Sequence, residues 1–294
     1  VSNIDSNSLV QKTVYPILFS IAFAHLLNDL LQAVIPAAYP ILKENFNLSF
    51  TQIGLITLAY QLAASILQPI VGLYTDKRPK PFSQIFGMLF TMSGIVLLSY
   101  AANFSMIILA VVLVGIGSSI FHPEASRISF LASGGKRGLA QSIFQLGGNA
   151  GTAIGPLLVA LIVVPNTQYY IIWFVVVAFI ALMVLSRIAF WYQSHLSLKA
   201  DKKAVIDLPN LSQTKIIVSV VILMILIFSK FFYMASMSSY FTFYLMHKFQ
   251  LSLQSAQLHL FAFLAAVALG TFAGGPIGDR IGRKAVIWVS FVGM

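Results

Sequence analysis

Cysteine is absent from the 294 residues, which rules out a disulfide framework and any thiolate-held metal. Charge is almost as scarce: 9% of the residues are charged and only 8 are acidic, where a soluble domain carries roughly 25% charged residues. So few charges cannot solvate a globular surface of this size, and the natural solvent is a bilayer. A basic-then-apolar leader with a small-residue cleavage site is also lacking. Val1 to Thr13 is polar and short, so the first apolar segment is expected to be retained. No nucleophile elbow, Walker loop or paired catalytic carboxylates occur, so no enzyme is expected. Gly147-Gly148-Asn149-Ala150-Gly151 lies within an apolar run and is no phosphate cradle. His195, His247 and His259 stand alone, and no metal or cofactor is expected. The net charge of +10 is compatible with nucleic-acid binding, but its placement argues against it, because the basic residues sit between apolar runs.

What is present is long apolar sequence. The hydrophobic fraction is 59% and the mean hydropathy +0.89. Residues 45–75, 81–123, 138–186 and 249–278 carry no Asp, Glu, Lys or Arg. A spanning helix needs about 20 apolar residues, so 81–123 and 138–186 each hold two spans. The breaks fall at Asn103-Phe104-Ser105 and Pro165-Asn166-Thr167-Gln168. The runs are continuous, without the ten-residue alternation of a membrane barrel. Spans are predicted near 14–40, 50–74, 83–102, 105–133, 138–163, 168–193, 214–246 and 253–277, with a ninth starting near 285.

Of the 18 lysines and arginines, Arg127 and Lys230 lie inside spans, Lys43 and Lys248 fall on one side, and all the others on the opposite side. The positive-inside rule then predicts a multi-pass protein of the inner (plasma) membrane with a cytoplasmic N-terminus. The polar, basic stretch 194–213 reads as a cytoplasmic linker between a six-span half (1–193) and a second series (214–294). Ala285–Met294 reaches about 15 Å, half of a hydrocarbon core of roughly 30 Å. The second half is therefore expected to be incomplete, with two spans and the start of a third.

Ionisable groups inside spans are costly and are functional hypotheses by default. His25, Asn28, Asp29 and Gln32 recur at i, i+3, i+4 and i+7, forming one polar stripe on an otherwise apolar helix. Desolvation favours the protonated form of such a carboxyl, so Asp29 is the best proton carrier, with His25 one turn away. The alternative is a structural hydrogen-bonding role in helix packing. Span 4 carries His122-Pro123-Glu124 and then Arg127. Pro123 predicts a kink or break, and Glu124 and Arg127 are spaced to pair, either functionally or as a wetted structural pair at the end of the span. In span 5, Gln141, Gln145 and Asn149 form a polar face, while Gly147, Gly151 and Gly155 form a flat one suited to a neighbouring helix. In span 7, Lys230 lies among Tyr233 and other aromatics. It needs a carboxylate, an anionic ligand or a route to snorkel.

A short signature occurs twice. Gly72-Leu-Tyr-Thr-Asp76-Lys77-Arg78-Pro79-Lys80 follows the second span, and Gly275-Pro-Ile-Gly-Asp279-Arg280-Ile-Gly282-Arg283-Lys284 follows the eighth. A repeated loop at corresponding points marks a transporter built from two related halves.

With these loops the chain resembles the major facilitator superfamily. The second copy carries the full pattern; the first departs from it, with Pro79 in place of a glycine and Lys80-Pro81 at its close. Gly151-x-x-x-Gly155-Pro156 is similar to the span-5 motif of the antiporter branch. Phe121 to Arg127, Ala132 to Asn149 and His25-x-x-Asn28-Asp29 together look like the fosmidomycin resistance family. The resemblance implies an all-α bundle with a six-helix first half and a truncated second half. It implies a proton-driven drug efflux antiporter that exports a phosphonate antibiotic or a related anionic or amphipathic compound. Its partners would be the lipid bilayer, the small-molecule substrate and protons. Asp29, with His25 and Glu124, is expected to carry the proton. Asn28, Gln32, His122, Arg127, Gln141, Gln145, Asn149, Lys230 and Tyr233 are the substrate-binding candidates. Gly72, Asp76, Lys77, Arg78, Gly275, Asp279, Arg280, Gly282 and Arg283 are the gating candidates. The rival expectations are a proton-coupled importer of an organic anion or sugar, and an inactive truncated membrane protein.

Overall fold

Proline and capping residues set where the helices start and stop. A computed structural model describes residues 13–196 and 212–292, without strands among them. Helix α1 (Tyr15–Ala37) opens with proline in its first turn and gives way at Ala38 to α2 (Tyr39–Phe46). Pro40 has no N–H to return to the Pro36 carbonyl, which explains the interruption. Asn47, left-handed at φ 50°, ends α2. Helix α3 (Phe50–Lys77) begins with a capping box in which the Ser49 hydroxyl accepts from Gln52 N at 3.2 Å and Gln52 Oε1 from Ser49 N at 2.9 Å. Next come α4 (Ser83–Ser99), α5 (Phe104–Ala132), α6 (Arg137–Leu158), α7 (Phe174–Leu196), α8 (Gln213–Phe249), α9 (Leu253–Ile281) and α10 (Arg283–Val292).

Each predicted span is thus a helix, and α10 starts where the ninth was expected. Among the described residues seven helical stretches are long and apolar enough to cross a membrane, and α4 is a shorter apolar helix. Two prolines inside helices have different local outcomes. Helix α5 runs unbroken through Pro123, since a packed membrane helix tolerates the loss of one backbone bond. After Pro156, α6 instead widens into a π-turn over Val159–Val163, with Val164 N bonded to Val159 O at 3.0 Å. The expected linker lies, from 197 to 211, outside the described residues, as does Lys12.

Helix α1 is central, with α6, α5 and α7 around it. The glycine face of α6 lies flat against α1, as its spacing predicted. A Cβ on Gly147 would overlap the Ala22 carbonyl oxygen, one on Gly151 that of Leu26, and one on Gly155 would stand 2.5 Å from Ala33 Cβ. Only glycine allows backbones this close. The second half seats on the first through α9, where Leu260 and Leu264 cluster with Ala153 of α6 and Gln257 Nε2 donates to Ala37 O at 2.7 Å. Helix α8 stays open from Gln213 to Phe232 apart from Leu226, and Phe228, Phe231 and Phe232 present bare rings.

Candidate functional site

The stripe on α1 becomes a site because α3, α5 and α6 close over it. His25 and Asn28 are buried, and Asp29 keeps 18% of its side-chain surface. His25 Nε2 stands 3.2 Å from Asp29 Oδ2, and His122 Nε2, from α5, 3.4 Å from Oδ1. Oδ1 also accepts from Asn28 Nδ2 at 3.0 Å and Gln32 Nε2 at 3.4 Å. The other end of the Gln32 amide is held just as firmly, for its Oε1 accepts from the Tyr60 hydroxyl of α3 and from Ser118 Oγ of α5 at 3.2 Å. Each histidine is anchored through its second nitrogen. His25 Nδ1 lies 2.8 Å from the Phe144 carbonyl of α6, and His122 Nδ1 lies 3.0 Å from the Ser118 carbonyl.

The close fit around His25 has a local cause. Its ring stacks on Phe144 with centroids 4.0 Å apart, and α6 passes over it with Gly148. A Cβ on Gly148 would stand 2.6 Å from His25 Nε2 and 2.8 Å from Asp29 Oδ2, so only glycine leaves room for the pair. Every polar neighbour of Asp29 is an N–H donor or becomes one on protonation, an environment suited to an ionised carboxylate. His25, Asp29 and His122 each offer a ligand atom within 4.8 Å of the others, close enough to share a small cation. Oδ1 already accepts two amide N–H groups, which favours protons over a metal in that place.

A second cluster lies where α3 ends. Arg127 pairs with Asp76, donates to the Thr75 carbonyl and to Thr75 Oγ1 at 3.3 Å, and stands 3.6 Å from Glu124 Oε1. The expected Glu124–Arg127 pair is therefore present, and the pattern Gly72-x-x-x-Asp76 is tied by its aspartate to α5. Glu124 is 1% exposed, and Arg127 is the one cation beside it among the described residues. Lys77 and Arg78 are exposed and make no ion pair among the described residues. Arg127 and Glu124 thus belong to this clamp, while His122 belongs to the Asp29 pocket.

The remaining candidates stand apart from both clusters. Gln141 and Gln145 are exposed and Asn149 half-buried on α6, with no hydrogen bond among the described residues. Lys230 is exposed on α8 and meets no carboxylate there. Tyr233 touches the Phe263 ring at 6.4 Å. In the second signature Gly275 lies within α9 and Gly282 is left-handed at φ 95°, separating α9 from α10; the side chains of Asp279, Arg280 and Arg283 lie outside those described. Tyr60 and Ser118 join the pocket without having been expected. Ser118 stands one turn before His122, a spacing that hints at a bond to the ring, whereas nothing near Tyr60 in the sequence marks it.

Comparison with known proteins matches residues 21–294 to the Major Facilitator Superfamily. The chain is 56% identical to the fosmidomycin resistance protein of Escherichia coli (strain K12) over 96% of its own length and 70% of that protein. It is 48% identical to an uncharacterized MFS-type transporter of Bacillus subtilis (strain 168), over 94% of the chain and 68% of the relative. In fold it is similar to a bacterial homolog of the human lysosomal transporter Spinster, crystallised inward-facing and unoccupied. That similarity has a TM-score of 0.71 at 18% identity and covers 93% of this chain. The chain spans 64% of the length of that structure, a little under two thirds.

Proposed function

The chain belongs to the Major Facilitator Superfamily, and from that premise we propose that it serves a proton-coupled drug efflux antiporter exporting a fosmidomycin-like or other small anionic or amphipathic compound. It is a multi-pass membrane transporter, not an enzyme. The observation that carries the proton coupling is Asp29, a carboxylate inside the bundle held between two histidines. An ionisable group at that depth is expensive to keep without a use. Its direct partners come from α1 and α5 and are tied in turn to Tyr60 of α3 and Phe144 of α6, so a proton arriving or leaving alters how four helices are held together.

In this reading the halves rock in alternating access. The pocket loads protons from outside as substrate leaves, and Glu124 is the reserve carrier. The Arg127–Asp76 clamp secures the end of the bundle that bears the basic loops, which the positive-inside rule places in the cytoplasm together with the N-terminus. Donors for an anion are at hand in the exposed ammonium of Lys230, the hydroxyl of Tyr233 and the open amides of Gln141, Gln145 and Asn149. Export as the direction, and fosmidomycin as the first compound to try, rest on the name of the Escherichia coli relative.

The test is fosmidomycin accumulation in cells with and without the whole protein, before and after an uncoupler. The expected result is lower accumulation with the protein, and no difference once the proton gradient collapses. Equal accumulation throughout overturns the drug reading, and higher accumulation with the protein overturns the direction.

A further inference from the structure

We infer that the Asp29 pocket carries two protons, one on each histidine, so that His122 is a proton site in its own right. The use of these protons rests on the transport reading above; their number follows from the hydrogen-bond pattern. The argument starts from Asp29, whose carboxylate can only accept. Oδ1 takes the Gln32 Nε2–H at 3.4 Å, so the amide orientation of Gln32 is fixed and its Oε1 faces Tyr60 and Ser118. A hydroxyl has one hydrogen, and that of Ser118 goes to Gln32. Ser118 Oγ, 3.2 Å from His122 Nδ1, can then only accept, and the Ser118 carbonyl, 3.0 Å from the same nitrogen, can only accept as well. His122 Nδ1 therefore bears a hydrogen. The Phe144 carbonyl imposes the same tautomer on His25 at 2.8 Å.

Both rings have thus spent their Nδ1–H on acceptors, and both turn Nε2 towards Asp29. The contacts are to different oxygens, 3.2 Å to Oδ2 for His25 and 3.4 Å to Oδ1 for His122. A bare Nε2 at those distances sets lone pair against lone pair. A proton on Asp29 repairs only one contact, because a carboxylic acid has a single O–H. Protons on both Nε2 atoms repair both, as charge-assisted N–H···O bonds. Among the described residues nothing else nearby competes. Tyr60 is the titratable group that α3 turns to the pocket, α6 offers only the Phe144 carbonyl and Gly148, and Glu124 and Arg127 on α5 are engaged with each other and with Asp76. The two histidines and Asp29 form one contiguous cluster, so a proton gained at one site changes the field at the other two.

The experiment is nitrogen NMR of the whole protein in detergent, with histidine rings labelled and no substrate present, followed across a pH titration. His195→Gln, His247→Gln and His259→Gln, all outside the pocket, remove the other three histidine signals of the chain, so the two pocket rings are identified by elimination without being altered. The expected result is that Nδ1 of both rings keeps its hydrogen throughout, while Nε2 of both rings gains and loses a proton. A second titrating Nε2 that never appears, or a ring whose hydrogen moves from Nδ1, overturns the inference. The absence of substrate separates this outcome from any failure of the efflux reading.

Discussion

Replacing Gly148 by alanine tests the pocket at its tightest point. The added Cβ would stand 2.6 Å from His25 Nε2 and 2.8 Å from Asp29 Oδ2. Comfortable van der Waals separation is about 3.5 Å or more, so the ring has to retreat by about 1 Å. Retreat towards its stacked face is limited by the Phe144 ring at 4.0 Å, and retreat within its own plane by the Nδ1 anchor at 2.8 Å. A 3.2 Å contact between His25 and Asp29 then opens to about 4 Å, where no hydrogen bond survives. Losing one hydrogen bond to a charged group costs about 1.5–3 kcal/mol, or about 10- to 150-fold in whatever equilibrium that bond supports. The assay is drug export by Gly148→Ala in the whole protein, with Gly270→Ala as control, since a Cβ at Gly270 meets nothing within 4 Å. Export by the alanine variant should fall by about one to two orders of magnitude, with the control unchanged. Equal export by both variants would refute the argument that α6 positions His25 against Asp29.

Arg127→Met should be among the most destabilising single changes, because it leaves Glu124 buried with no counter-charge; the expected loss is about 3–5 kcal/mol, read as a fall in thermal midpoint and partly recovered by adding Glu124→Gln. Gly151→Ala should separate α1 from α6 and lower the thermal midpoint, since its Cβ would overlap the backbone oxygen of Leu26 rather than a movable side chain. Ser49→Ala removes the capping box of α3 and should cost about 1 kcal/mol of stability without altering transport.

The membrane plan was legible because it depends on one-dimensional facts. Charge-free runs set the helix count, and the break expected at Asn103 falls where the structure caps α5. The α1 stripe was legible for the same reason, since four polar residues at helical spacing on an apolar segment share a face. The glycine face of α6 also announced its flatness, though not that α1 would be the helix lying on it. What escaped were contacts between helices distant in sequence. Tyr60 reaches Gln32 across 28 positions, and nothing local distinguishes it from other membrane tyrosines. His122, Glu124 and Arg127 stand close together in the sequence. On the helix they diverge, Arg127 reaching the Asp76 loop and His122 reaching Asp29. Pro123 suggested a kink or a break from its missing N–H alone; the helix runs through it without a break, packed against α3 and α4.

The central claim is that export is coupled to protons through Asp29. Inverted membrane vesicles containing the whole protein, with a pH-sensitive dye inside, measure it directly when fosmidomycin is added. Wild type should show a drug-triggered proton movement, and Asp29→Asn, inserted to the same level, should show none. A proton signal of wild-type size from Asp29→Asn would contradict the account.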